Sequence, residues 1–223
     1  MSRPLLTAAL IAGVLAICSH AQDKKPQTIK GWGTIVDPDG DCRLTEENGK
    51  LTIKVPGTYH DLTHSEGRDQ LNSPRVLQEA KGDFVAQVTV NPFPLPAENT
   101  STSLGICFVS SGLLIWLDGD NFIRMDRAAV AGLSTPAVLV EFYKDGKQVT
   151  TQFAALEDKP THLRITRAGA KLMFNSSDDG LKWTTVHSEE ATLAPTVNVG
   201  VLAINTTTRE FAPQLEGFSL ITK

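Results

Sequence analysis

The chain has 223 residues, with 21 Lys and Arg against 25 Asp and Glu and a net charge of −4. No basic stripe runs along it, which excludes the electrostatic footprint of a nucleic-acid partner; a mildly acidic surface mainly favours solubility. With 41% hydrophobic residues the length suits a single domain around one sizeable core.

The first residues read as an export signal. Arg3 gives a positive start, and Leu5 to Ile17 are apolar except for Thr7 and Gly13. This run is too short for a permanent bilayer span, which needs roughly 20 apolar residues. Ser19-His20-Ala21 offers the small residues a signal peptidase reads. The expectation is a signal peptide over residues 1–21, an extracellular or periplasmic destination, and no membrane span after cleavage. Residues 22–30 are polar and predict a flexible lead-in; 31–223 form the domain.

From Gly31 onward the apolar period is two. Leu51, Ile53 and Val55 alternate with Thr52 and Lys54; Phe84, Ala86, Val88 and Val90 with Gln87 and Thr89; Leu163 and Ile165 with Arg164. Such alternation puts one face of each segment in a core. Asn48-Gly49 and Asp145-Gly146 suit the positive φ of tight hairpins, and Ser111-Gly112, Gly119-Asp120 and Ala168-Gly169 mark further turns. A dozen or so hairpin-linked strands cannot remain one flat sheet. The fold class is therefore all-β, as a two-sheet antiparallel sandwich. Gly57 to Pro74, and the loop around Pro92, Pro94 and Pro96, are the main irregular segments.

Several motifs are candidates for chemistry. Asp37, Asp39 and Asp41 gather hard oxygen donors that suit a structural calcium ion, although Asp37-Pro38-Asp39-Gly40 also fits a plain type I turn. Cys42 and Cys107 follow the leader. Export permits a disulfide between them, worth about 4 kcal/mol by loop closure; the alternative is two separate thiols, Cys107 lying in an apolar stretch. His60 and His64 flank Asp61, but Pro56 and Gly57 disfavour the helix that would bring a four-residue spacing onto one face. Ser176, Asp178, Gly180 and Trp183 match the structural turn of sialidase-type propellers; a single copy reads as one hairpin with Trp183 in the core.

No catalytic residue is assigned. Glycoside hydrolysis needs facing carboxylates, and neither Glu-x-Asp-x-x-Glu, Gly-x-Ser-x-Gly nor His-Glu-x-x-His occurs. Sugar recognition uses aromatic rings beside polar groups. By alternation Trp116 shares a face with Leu114, and Arg124 shares one with Phe122 and Asp126. Across the turn at Gly119, Trp116, Phe122 and Arg124 come together as a candidate ligand site, with Tyr59, His60 and Arg75 secondary. The alternative is that both faces of these strands are buried and Trp116 fills core.

The series Ser73-Pro-Arg-Val-Leu-Gln78, Gly112-Leu-Leu-Ile-Trp-Leu-Asp118, Asp120-Asn-Phe-Ile-Arg124, Ser177-Asp-Asp-Gly180 with Trp183, and Val199-Gly-Val-Leu-Ala203 resembles domain-of-unknown-function family 1349. That family is similar to the concanavalin-A-like lectin and glucanase jelly rolls and to the C-terminal module of some β-xylosidases. The resemblance runs from about Gly31 to Leu220. It implies a concanavalin-A-like jelly-roll sandwich and no shared catalytic set; the glucanase acid pair has no counterpart. The leading functional expectation is a secreted, non-catalytic protein that binds polysaccharide or glycan. The alternatives are a structural or protein-interaction module of the cell envelope, and a hydrolase or lyase with a site in the Gly57–Pro74 loop.

Overall fold

Strand alternation becomes two stacked antiparallel sheets. The computed structural model describes residues 26–65, 68–102 and 107–223; the leader predicted over 1–21 lies outside them. One sheet has eight strands in the order β1 (Thr28–Ile29), β2 (Gly33–Val36), β7 (Arg75–Lys81), β16 (Thr196–Asn205), β9 (Phe108–Trp116), β10 (Phe122–Val130), β11 (Ala137–Lys144) and β12 (Lys147–Ala155). The other has seven, in the order β15 (Thr184–Glu190), β14 (Lys171–Ser177), β13 (Thr161–Ala168), β8 (Phe84–Val90), β17 (Gln214–Thr222), β4 (Lys50–Lys54) and β3 (Arg43–Glu47). A separate pair, β5 (Leu62–Ser65) and β6 (Arg68–Leu71), completes the strands. Thr28 and Ile29 pair with Thr34 and Gly33, so the sheet begins inside the segment read as lead-in.

The core lies between the sheets. Leu51, Ile53, Val88, Leu163, Ile165 and Phe174 face Leu113, Ile115, Ile123, Met125, Val140 and Phe142 across it. Each such side chain contributes about 1.5–3 kcal/mol on burial. β8 and β13 alternate strictly between buried and half-buried positions, whereas β9, β10 and β11 are buried along almost their whole length. Their outer face carries a second apolar cluster, including Phe108, Leu114, Phe122 and Leu139, with Leu62 of β5 and Leu71 of β6 packed on it. The segment read as an irregular loop over 57–74 thus contains a hairpin that covers part of a sheet.

Asn48-Gly49 and Asp145-Gly146 take positive φ at both positions and close β3–β4 and β11–β12. Ser111-Gly112 is not a turn: it lies within β9. A Cβ on Gly112 would stand 2.1 Å from the Met125 carbonyl oxygen, so this glycine permits close approach of β10. Nor are Cys42 and Cys107 bridged; both are free. Cys107 is buried, its Sγ donating to the Glu98 carbonyl (3.3 Å) and lying 3.7 Å from Thr100 Oγ1. Cys42 sits between β2 and β3 with Sγ 3.6 Å from Asp41 Oδ1.

Candidate functional site

Register sets two rows of side chains across the outer face of the eight-stranded sheet. Phe122 is opposite Trp116 on one side and Tyr143 on the other. Trp116 and Phe122 stack with centroids 5.6 Å apart, and Phe122 and Tyr143 at 4.3 Å. From the β7 side the Arg75 guanidinium lies 4.3 Å from the Trp116 centroid. The expected pairing of Trp116 with Phe122 is present, but Trp116 offers no open stacking face, being held between Phe122 and Arg75. Phe122 is fully buried.

The second row is ionic. Arg124 is opposite Glu141, and Asp126 follows two residues along on the same face. Arg124 Nε donates to Glu141 Oε2 at 2.7 Å, and Nη2 pairs with the same oxygen. Asp126 Oδ2 lies 3.6 Å from Arg124 Nε, and Asp61 Oδ1 3.6 Å from Nη1. Tyr143 Oη and Gln148 Nε2 donate to Glu141 at 3.2 and 2.6 Å, while Tyr59 Oη donates to Asp61 at 2.9 Å. One guanidinium is thus surrounded by three carboxylates, all four groups being buried. Burial pushes the Asp126 carboxyl up to about 7, with Arg124 opposing and Glu141 reinforcing the rise. Burial likewise raises Asp61 despite the pull of Arg124. Among the described residues, Arg124 Nη1 and Asp126 Oδ1 have no hydrogen-bond partner, an expensive state for enclosed polar atoms.

This network forms the wall of a cavity of about 310 Å³, lined on its polar side by Tyr59, Asp61, Arg124, Glu141, Tyr143 and Gln148. Phe108, Val130 and Leu139 supply an apolar side. A wider trough of about 540 Å³ lies towards β2 and includes Arg75, Glu79, Trp116 and Asn198. By contrast, the cleft of about 420 Å³ between Leu117 and Leu193 has no buried charge in its lining. The raised carboxyl of Asp61, set beside Arg124 and Glu141 in a concavity, makes the 310 Å³ cavity the candidate site.

The remaining sequence candidates separate. Asp37 caps its own turn, accepting from Gly40 N (3.2 Å) and Cys42 N (3.0 Å). Asp39 accepts from Asn72 Nδ2 at 2.7 Å, and Asp41 lies 2.9 Å from His60 Nε2. Asp37 is thus turned to its own backbone, while Asp41 and, at 3.7 Å, Asp39 face the His60 ring rather than one another. Among the described residues, Asp41, Cys42 and His60 are the group of potential metal ligands that does converge. Burial, then Asp37 and Asp41, push the Cys42 thiol well up. His64 is elsewhere, donating from Nε2 to the Gly119 carbonyl (2.6 Å) with Nδ1 3.2 Å from Asp69. Trp183 is half-buried rather than core; the Arg164 guanidinium lies 3.6 Å from its centroid. Its turn is held one residue later than the motif reads: Ser177 Oγ accepts from Gly180 N, and Asp179 from Leu181 N and Lys182 N.

Glu141, Tyr143 and Gln148 were not among the sequence candidates. The signal was present in Ala137-Val-Leu-Val-Glu-Phe-Tyr-Lys144, where alternation puts Glu141 and Tyr143 on the face of Leu139 and a carboxylate interrupts an apolar run.

Solved structures share the two-sheet fold. A functionally unknown protein from Saccharomyces cerevisiae aligns with a TM-score of 0.68 at 16% identity, over 86% of this chain and 97% of its own. The fold is a jelly-roll sandwich. The GH43 protein BlXynB from Bacillus licheniformis aligns at 0.64 and 19% identity over 86% of this chain, which spans 37% of that one. The carbohydrate-binding module CBM66 from Bacillus subtilis aligns at 0.54 and 9% identity, over 88% of this chain and all of the module. At these identities the likeness is one of fold. No family model and no curated protein matches the chain.

Proposed function

We propose that this is an exported, non-catalytic carbohydrate-binding protein of family 1349, with the ligand in the cavity beside Arg124. The observation that carries the reading is the buried Arg124–Glu141–Asp61 group on one wall, facing Phe108, Val130 and Leu139 on the other. A sugar presents the same duality, with hydroxyls that pair with carboxylates and guanidinium and C–H faces that pack on apolar side chains. At about 310 Å³ the cavity is at the small end of ligand pockets, which run from about 300 to 1,000 Å³, and suits a short glycan segment. The fold shared with a module named as carbohydrate-binding supports the assignment, and the apolar leader supports export.

The hydrogen bonding supports binding over hydrolysis. A glycosidase needs one carboxyl to donate a proton and another facing the sugar or a water. The Glu141 oxygens are taken by Arg124, Tyr143 and Gln148, and those of Asp61 by Leu62 N and Tyr59 Oη. Asp126, whose raised pKa suits an acid, is completely enclosed. One feature favours a protein-interaction reading instead: β12 is an edge strand with exposed Val149 and Phe153, open to strand addition.

The test is a glycan array followed by titration calorimetry on the best ligand. Tyr59→Phe and Gln148→Ala are each expected to weaken binding about tenfold, the equivalent of one hydrogen bond involving a charged group, in a protein that stays folded with a modestly lowered melting temperature, since each change takes a donor from a buried carboxylate. Silence across plant, algal and bacterial polysaccharides, or affinity indifferent to both changes, would overturn the reading. Sugar release from those polysaccharides would replace it with the hydrolase.

A further inference from the structure

We propose that Asp41, Cys42 and His60 bind a divalent transition-metal ion of the Zn²⁺ class, tying the β2–β3 loop to the segment that leads into β5. Their ligand atoms all lie within 4.8 Å of one another. His60 is completely buried, and its main chain is clamped to Asn205, with N to O distances of 2.8 and 2.9 Å in the two directions. The ring is oriented as in many metal sites, where the non-ligating nitrogen is held by a backbone or carboxylate oxygen. Nδ1 is 3.3 Å from the Thr58 carbonyl and 3.2 Å from Thr58 Oγ1. Nε2 faces two carboxylates, Asp41 Oδ1 at 2.9 Å and Asp39 Oδ2 at 3.7 Å. With Nδ1–H donated to the Thr58 carbonyl, the Nε2 lone pair is available to a metal ion beside the two carboxylates.

The donor set selects the ion. Tetrahedral Zn²⁺ takes His nitrogen and carboxylate oxygen at about 2.0–2.2 Å and thiolate sulfur at about 2.3 Å, which sets neighbouring donors roughly 3.3–3.6 Å apart. Asp41 Oδ1 is 2.9 Å from His60 Nε2 and 3.6 Å from Cys42 Sγ, so closure needs only small side-chain movement. Asp37, bonded to Gly40 N and Cys42 N, fixes the backbone that presents Asp41 and Cys42, and Asp39 stands near as a fourth donor. Calcium, which takes six to eight oxygens, is a poor match for nitrogen and sulfur. Cys42 binds as thiolate, and its proton leaves to solvent as the metal–sulfur bond forms.

The experiment uses the full chain, stripped with a chelator and then given one equivalent of ZnCl₂ or CoCl₂. Zn²⁺ is expected to remain bound one-to-one through gel filtration and to raise the melting temperature. The Co²⁺ form should show a thiolate-to-metal charge-transfer band. Cys42→Ala should abolish that band and weaken Zn²⁺ at least tenfold while melting like the metal-free parent; Cys107→Ala should retain the band. Because His60 is buried and its replacement would disturb the packing around the Asn205 clamp, the half-exposed Cys42 carries the test. No retained metal, a Co²⁺ complex without the sulfur band, or stabilisation by CaCl₂ and not by ZnCl₂ would overturn the proposal.

Discussion

Replacing Asp126 by Asn should stabilise the protein at alkaline pH and leave it nearly unchanged at acid pH. Asp126 is fully enclosed on β10, with Ser110 Oγ donating to Oδ2 at 3.2 Å. Burial raises its pKa from the ordinary 3.8 to about 7, even with Arg124 alongside. An acid with a raised folded pKa makes the native state hold a proton that the unfolded chain has released. Its contribution to stability is therefore full below 3.8 and lost as pH rises through about 7. At about 1.4 kcal/mol per pH unit the whole rise corresponds to about 4 kcal/mol; relaxation and water entry around an ionised Asp126 reduce this to about 2 kcal/mol in practice. Asn cannot ionise, and its amide oxygen still accepts from Ser110. Urea denaturation is expected to place Asp126→Asn within about 0.5 kcal/mol of the parent near pH 3 and about 2 kcal/mol above it near pH 8. The carboxylates with lowered pKa values, such as Asp118 and Glu216, are common to both proteins and cancel in the comparison. A variant less stable than its parent near pH 8 would refute the reasoning, because Asp126 would then be a net stabilising counter-ion of Arg124.

Arg124→Met should cost about 3–5 kcal/mol near neutral pH, since it leaves Glu141, Asp126 and Asp61 buried without their cation; thermal melts should show a smaller deficit near pH 5, where Asp126 is protonated. Gly112→Ala should cost more than about 4 kcal/mol, because its Cβ would meet the Met125 carbonyl at 2.1 Å; soluble yield and urea midpoints report it, and a variant that melts like its parent would contradict the packing described. For His64, burial lowers the pKa but the Gly119 carbonyl, Asp69 and Asp120 outweigh it, giving a net rise. An NMR titration of its ring should therefore have a midpoint above 6.5, and its contribution to stability should fade as pH rises through that midpoint.

Local chemistry alone specified much of this protein. Period-two runs such as Phe84 to Val90 place one face in a core wherever the chain goes, and Asn48-Gly49 accepts a hairpin φ whatever surrounds it. The stacking of Trp116 on Phe122 was legible for the same reason, since a tight turn fixes register between adjacent strands. Gly112 was misread because the same missing Cβ serves a turn or a close approach, and only the position of Met125 distinguishes them. The charged cavity depended on sheet order and on one long connection. Glu141 meets Arg124 because β11 pairs with β10, and Asp61 reaches them because the segment 57–74 folds across the outer face. Asp41 and His60, 19 residues apart, met through the docking of two loops that carry no periodic signal. Backbone periodicity is a property of neighbours in sequence. The convergence of charges into a site is a property of neighbours in space, and only the tertiary structure decided which carboxylates would share one buried guanidinium.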